Sequence, residues 1–219
     1  MRKMAPGIVA LLAALAFGIW ALPNLPEQVV THWGLNGEPD GWSSRTTAVF
    51  ILPAFGLGLA VLLTFLPRID PRRESFPEHA GTWWILGNGI LVFLAVIHIA
   101  ALGYSLGWPL PISRIVVIGV GALFVLIGNF MTRMRPNWFM GIRTPWTLSS
   151  EIAWRKTHRV GGYGFVGGGV LAILAGLLRP EWAHWIMLGS IGVTVIGAVI
   201  YSYFVWRGET ERARAEAGR

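Results

Sequence analysis

The chain has 219 residues, of which 54% are hydrophobic and only 13% charged, with a mean hydropathy of +0.56 and a formal charge of +7. Soluble globular chains carry about 25% charged residues, so an ordinary soluble domain is excluded. The absence of cysteine excludes disulfides, thiolate metal sites, iron–sulfur clusters and a cysteine nucleophile.

Six stretches contain no Asp, Glu, Lys or Arg: Met4 to Leu22, Thr46 to Leu66, Gly81 to Gly103, Ile115 to Thr132, Val160 to Leu178 and Trp185 to Trp206. A bilayer core about 30 Å thick needs about 20 apolar residues per helix. Within lipid each segment must satisfy its own backbone. The expectation is an all-α integral membrane protein with six transmembrane helices. Arg2 and Lys3 ahead of the first run resemble the basic start of a signal peptide. The run nevertheless continues through Phe17 to Leu22, past the small residues Ala14 and Ala16, and reads as a retained span.

The cations are placed unevenly. Arg2 and Lys3, then Arg68, Arg72 and Arg73, then Arg133, Arg135, Arg143, Arg155, Lys156 and Arg159, and finally Arg207, Arg212, Arg214 and Arg219 fall on one side of the predicted spans. The other side keeps Arg45, Arg114 and Arg179. The positive-inside rule then puts both termini in the cytoplasm. The basic charge reads as a topology signal and an attraction to membrane lipid, with no direct nucleic-acid partner expected. Trp20, Trp83, Trp84, Trp108, Trp185 and Trp206 lie near span ends and read as an interfacial belt.

Between the first two spans, His32-Trp33-Gly34-Leu35-Asn36-Gly37-Glu38-Pro39-Asp40-Gly41-Trp42 contains two strong turn dipeptides, Asn36-Gly37 and Asp40-Gly41. Val29 to Trp33 suits a short strand entering the first turn. One reading is a compact external loop with Trp33 and Trp42 at the headgroup level. The other is a binding site in which His32, Glu38 and Asp40 converge. The spacing fits no metal motif and no nucleophile stands beside these groups, so neither a metal nor a catalytic residue is assigned. His32, Trp33, Asn36, Asp40 and Trp42 are the candidate binding residues of this loop.

Asn88 and His98 in the third span and Asn129 in the fourth are the polar side chains deepest in apolar sequence. Such groups either serve function or hydrogen-bond between helices. The spans carry no acids for a proton relay, which favours a structural role for His98.

The segment from Arg133 to Arg159 is the most informative. Pro136 and Pro145 forbid a continuous helix, and Thr144 is pushed toward an extended conformation. Thr147, Ser149 and Ser150 are possible N-caps, and Glu151 suits a first helical turn, so a short amphipathic surface helix is expected from about Ser150 to Arg159. On it Trp154 and His158 share one face, and Glu151 and Arg155 share another. Arg143, between Gly141 and Thr144-Pro145-Trp146, suits capture of a carboxylate or phosphate, stacking on Trp146, or a structural clamp. In the fifth span, Gly164 and Gly168 make a small-xxx-small pair among further glycines, which close helix packing explains.

Gly128-Asn129, Asn137, Gly141-Ile142-Arg143-Thr144-Pro145-Trp146-Thr147-Leu148, Trp154 and Thr157-His158-Arg159 with Gly161-Gly162 resemble the SdpI family of bacterial membrane proteins. His32-Trp33, Asn36-Gly37 and Asp40-Gly41-Trp42 are similar to the uncharacterised module that often precedes that region. The resemblance implies two parts: residues 1–80, a two-helix membrane module with the external loop, and residues 81–219, a four-helix membrane region with the cytoplasmic loop. It further implies a multi-pass immunity protein of the bacterial inner membrane, without cofactor or enzymatic activity. Its partners would be a secreted toxin peptide outside and, for signalling, a soluble transcriptional repressor held at the inner face. On that reading Asn137, Arg143, Thr144, Trp146, Glu151, Trp154 and His158 are the cytoplasmic binding residues. The competing reading is a membrane enzyme or transporter that grips a lipid-borne or ionic substrate through Arg143, His158 and Glu151.

Overall fold

The computed structural model of the chain describes residues 2–179 and 181–217; Arg219 and the side chain of Arg2, counted above among the cations, lie outside that description. Its long helices are α1 (Ala5–Ala21), α2 (Arg45–Ile69), α3 (Phe76–Ser105), α4 (Ile112–Met131), α6 (Glu151–Leu178) and α7 (Ala183–Ala217), with a short α5 (Pro145–Ser149) between α4 and α6. All six long helices are long and apolar enough to cross a membrane. With six spans in succession, the connections alternate between a terminal face, holding the start of α1, the α2–α3 turn, residues 132–150 and the end of α7, and an opposite face holding residues 22–44, 106–111, 179 and 181–182.

That opposite face, the hairpin face, carries an antiparallel pair: β1 (Gln28–Trp33) against β2 (Pro39–Ser44), irregular between Val30 and His32 and again between His32 and Trp33. The strand expected at Val29 to Trp33 thus gains a partner on the far side of the Asn36-Gly37 turn. Val29 is fully buried with Ala21, Leu25, Val49 and Leu102, which anchors the hairpin on α1, α2 and α3. Ser44 ends β2 and caps α2, its Oγ accepting from the Thr47 amide at 3.2 Å.

Two packing groups make up the bundle. Helices α1, α2 and α3 close around Leu11, Leu63, Trp83 and Leu91. Helices α4, α6 and α7 close around Val117, Ala172, Ala175 and Met187. Leu86, Met131, Met134 and Trp154 join the two groups near the terminal face. Outward side chains such as Ile51, Phe55 and Leu62 on α2 and Val193, Ile196 and Phe204 on α7 are exposed, as apolar residues facing lipid would be.

The glycines of α6 divide between two neighbours. A Cβ at Gly128 of α4 would lie 2.6 Å from the Gly162 carbonyl oxygen, and one at Gly169 2.5 Å from that of Gly121, so α4 and α6 touch backbone to backbone. Gly164 and Gly168 instead face Thr194 and Ser190 of α7. The close packing read from Gly164 and Gly168 is present, and Gly162 and Gly169 serve a second contact that those two do not.

Two expectations are corrected. The surface helix from Ser150 to Arg159 is not separate: it forms the first turns of α6, which runs unbroken from Glu151 to Leu178. Nothing breaks the helix at Arg159-Val160, and Gly161 and Gly162 lie within it, where an added Cβ would meet Ile142 and the Gly128 carbonyl oxygen respectively. Trp83 is not part of an interfacial belt but is 2% exposed. Pro67 inside α2 has no N–H, so the Leu63 carbonyl lacks its helical donor. The Trp83 indole Nε1–H fills that gap at 3.0 Å.

Candidate functional site

The loop from Thr132 to Ser150 is built from the inside outward. Asn137, 2% exposed, satisfies the loop's own backbone: its amide nitrogen donates to the Arg135 and Met140 carbonyls at 2.9 and 3.0 Å, and its Oδ1 accepts from the Phe139 and Met140 amides at 2.9 and 2.7 Å. All four hydrogen-bonding positions of the side chain are used. Asp70, at the end of α2, is also buried; its carboxylate accepts from the Arg72 amide at 2.7 Å and the Trp138 amide at 3.0 Å. Arg72 in turn donates to the Leu148 carbonyl at 2.6 Å, so the α2–α3 turn is stapled to both ends of the loop.

Trp154 and His158 do share a face of α6, and it is the buried one; the rings stack with centroids 3.9 Å apart. Trp154 Nε1 donates to the Met134 carbonyl at 2.8 Å. His158 Nε2 accepts from the Ile142 amide at 3.1 Å, which requires that nitrogen to be unprotonated, while Nδ1 donates to the Trp154 carbonyl at 2.8 Å. The geometry therefore selects the neutral Nδ1–H tautomer, with both nitrogens occupied. Directly over the imidazole lies Gly141 at φ +109°, where a Cβ would fall 2.4 Å from His158 Nε2. Only glycine lets the chain pass this close to the ring.

Thr144 caps α5 reciprocally with Thr147: Thr144 Oγ1 accepts from the Thr147 amide at 3.1 Å, and Thr147 Oγ1 from the Thr144 amide at 2.9 Å. Thr144 Oγ1 also lies 3.1 Å from Ser202 Oγ of α7. Ser150 Oγ accepts from the Ala153 amide as the cap of α6 and donates to the Glu209 carboxylate, fixing the C-terminal extension of α7 alongside.

What remains outward is a small set. Arg143 is exposed and donates from Nη1 to the Trp138 carbonyl. It does not stack on Trp146, which packs edge-on against Tyr203 of α7 at 5.2 Å. Glu151 is exposed and pairs with Arg155 at 3.4 Å on the outer face of α6. Of the seven residues singled out in this loop, Asn137, Thr144, Trp154 and His158 hold the frame, and Arg143, Trp146 and Glu151 are presented by it. Sequence reasoning missed Asp70, Arg72, Trp138, Ser202 and Glu209. Asp70-Pro71 was a usable signal, an acid at the start of an otherwise basic turn.

On the hairpin face, His32 Nδ1 meets Asp40 Oδ1 at 2.5 Å across the strands, with both side chains more than half exposed. Glu38 does not join them: it accepts from the Asn36 side-chain amide at 3.1 Å, closing the turn at Gly37, whose φ is +81°. Trp33 packs edge-on against Tyr104 of α3 at 5.7 Å, and Trp42 is exposed.

Of the intramembrane polar residues, Asn88 reaches α1: its Oδ1 accepts from the Gly7 amide at 2.8 Å and its Nδ2 donates to the Lys3 carbonyl at 2.9 Å and the Trp84 carbonyl at 2.7 Å. It is the N-terminal cap that α1 lacks in its own sequence. His98 is buried against Gly18 and Leu102, with no hydrogen-bond partner at Nε2 among the described residues. Asn129 is exposed two residues before the end of α4.

Comparison with known proteins agrees with the motif. The family model described as the SdpI/YfhL protein family matches residues 133–202, and that of a domain of unknown function (DUF1648) matches residues 9–57. The chain is 24% identical over 207 residues to the immunity protein SdpI of Bacillus subtilis (strain 168), covering 94% of this chain and 97% of that protein. No solved structure matches. The six apolar helices, the loop motif and these matches together describe a multi-pass membrane protein that is similar to the SdpI/YfhL family over residues 133–202, with a DUF1648 match ahead of that region.

Proposed function

We propose that the chain is a non-enzymatic immunity and sensor protein of the bacterial inner membrane, both termini inside, that protects against a secreted toxin peptide met on the hairpin face and holds a soluble transcriptional repressor at the terminal face. Residues 1–80 would supply the external module and residues 81–219 the family region. The similarity to an immunity protein along nearly the whole chain supports the protective role. The observation that carries the reading is the internal saturation of the 132–150 loop. His158, the natural base of any active site there, has both nitrogens bound to backbone. The hydroxyls of Thr144 and Thr147 are likewise spent on caps. Such a loop presents Trp138, Arg143 and Trp146 in fixed positions, which suits recognition.

Photo-crosslinking in native membranes tests both faces, with one probe at Trp146 and one at Trp33 and mass spectrometry of the adducts. A DNA-binding protein captured at position 146 and a peptide at position 33 are expected. Adducts to lipid or to the chain itself at both positions would overturn the sensor role. Failure of the expressed chain to protect toxin-exposed bacteria would overturn the immunity role.

A further inference from the structure

A cavity of about 510 Å³ opens on the hairpin face, within the range of small-ligand pockets. It is assembled from distant parts of the chain: Trp33 and Leu35 to Gly37 of the hairpin turn, Tyr104 of α3, Leu110 to Arg114 around the start of α4, and Glu181, Ala183 and His184 around the start of α7. The hairpin lies within the region matching the DUF1648 model and the 181–184 wall within the region matching the SdpI/YfhL model, so neither region has the cavity alone. The turn is seated firmly. At Gly37 a Cβ would lie 2.6 Å from Ser113 Oγ, and Trp33 rests edge-on against Tyr104.

The chemistry of the walls is divided. Trp33, Leu35, Tyr104, Leu110 and Ile112 form an apolar part. Arg114, in the first turn of α4, also lines the cavity and pairs with no acid among the described residues. Glu181 is already matched by Arg179 at 3.9 Å. The cavity's own cation, Arg114, thus has no acid paired with it among the described residues. Its charge is reinforced by α4 itself, whose N-terminus at Pro111 has no side-chain cap for its amides. Beside the cavity, β1 and β2 form a sheet of only two strands, so each keeps one edge without a strand partner. An open edge offers backbone donors and acceptors spaced for an extended chain, which a lipid tail cannot use.

We propose that this cavity takes the carboxylate-bearing end of an extended apolar peptide: Arg114 and the α4 N-terminus bind the carboxylate, the Trp33–Ile112 wall takes the last side chain, and the preceding residues run along the hairpin edge. The inference rests on the reading that a peptide is recognised on this face and adds which end is recognised, and by what.

Because the chain has no cysteine, Thr31→Cys on the exposed side of β1 can carry an environment-sensitive fluorophore as the sole label. The labelled protein, in phosphatidylcholine nanodiscs, is titrated with acetyl-Val-Leu-Trp-Phe as the free acid and as the C-terminal amide. A saturable response is expected for the acid, with the amide about tenfold or more weaker. Arg114→Gln reduces the acid to the level of the amide, and Arg114→Lys retains most of the preference, which shows that charge and not folding is at issue. Equal binding of acid and amide, no saturable response, or full competition by phosphatidylglycerol vesicles overturns the proposal. If bacteria expressing Arg114→Gln resist a toxin peptide as well as those with the unaltered chain, the cavity assignment fails while the immunity reading stands. If the unaltered chain confers no resistance yet still prefers the acid, the immunity reading fails and the cavity stands.

Discussion

Gly141→Ala strikes the point where the loop crosses His158. The backbone there has φ +109°, beyond the region that L-residues tolerate, at a cost of about 1–2 kcal/mol. The new Cβ would lie 2.4 Å from His158 Nε2 and 3.3 Å from the Trp154 ring. The imidazole has no room to retreat, being stacked on Trp154 and bonded at both nitrogens. Relief therefore comes by separating Ile142 from His158, and an unmade buried hydrogen bond adds about 1–3 kcal/mol. The sum, about 2–5 kcal/mol, is a large part of a typical total stability of about 5–15 kcal/mol. It falls on one loop, so local opening is expected ahead of global unfolding. Hydrogen exchange in nanodiscs should rise across residues 133–150 and stay near that of the unaltered protein in α1 to α3, and partner capture at position 146 should be lost. The control is Gly167→Ala on the outer side of α6, where a Cβ meets nothing within 4 Å and exchange should be unchanged. Normal exchange and normal capture in Gly141→Ala would refute the lock.

The Pro67 and Trp83 pair invites a double-mutant cycle: Trp83→Phe alone should cost about 1–3 kcal/mol by orphaning the Leu63 carbonyl, and appreciably less beside Pro67→Ala, which restores a helical donor; additive losses in denaturant titrations would sink the account. Gly128→Ala forces apart two helix backbones, neither of which can yield, and should lower the thermal midpoint by several degrees more than Gly189→Ala, which meets open space. Asn88→Leu removes the cap of α1 and should cost about 1 kcal/mol, read as faster exchange at Gly7. Single cysteines at Leu35 and Trp146 should differ in intact cells: a membrane-impermeant maleimide labels the first and not the second, and the reverse pattern would invert the proposed orientation.

The six spans and the contrast between a turn-rich hairpin segment and a Pro-interrupted basic one were legible in the chain itself, because lipid imposes a length and a composition on any segment that crosses it. The shared faces of α6 were legible too, since Trp154 and His158 lie one helical turn apart. Which polar groups were already spent was not. Asn88 finds its partner on α1, 81 residues away, Asp70 finds the Trp138 amide 68 residues away, and the indole of Trp83 answers a vacancy left by a proline on another helix. A sequence shows that a group buried in an apolar bundle needs a hydrogen-bond partner. Only the packing of the helices chooses that partner, and so decides that His158 belongs to the frame of the loop, that Arg143 belongs to its surface, and that the hairpin turn closes over the start of α4.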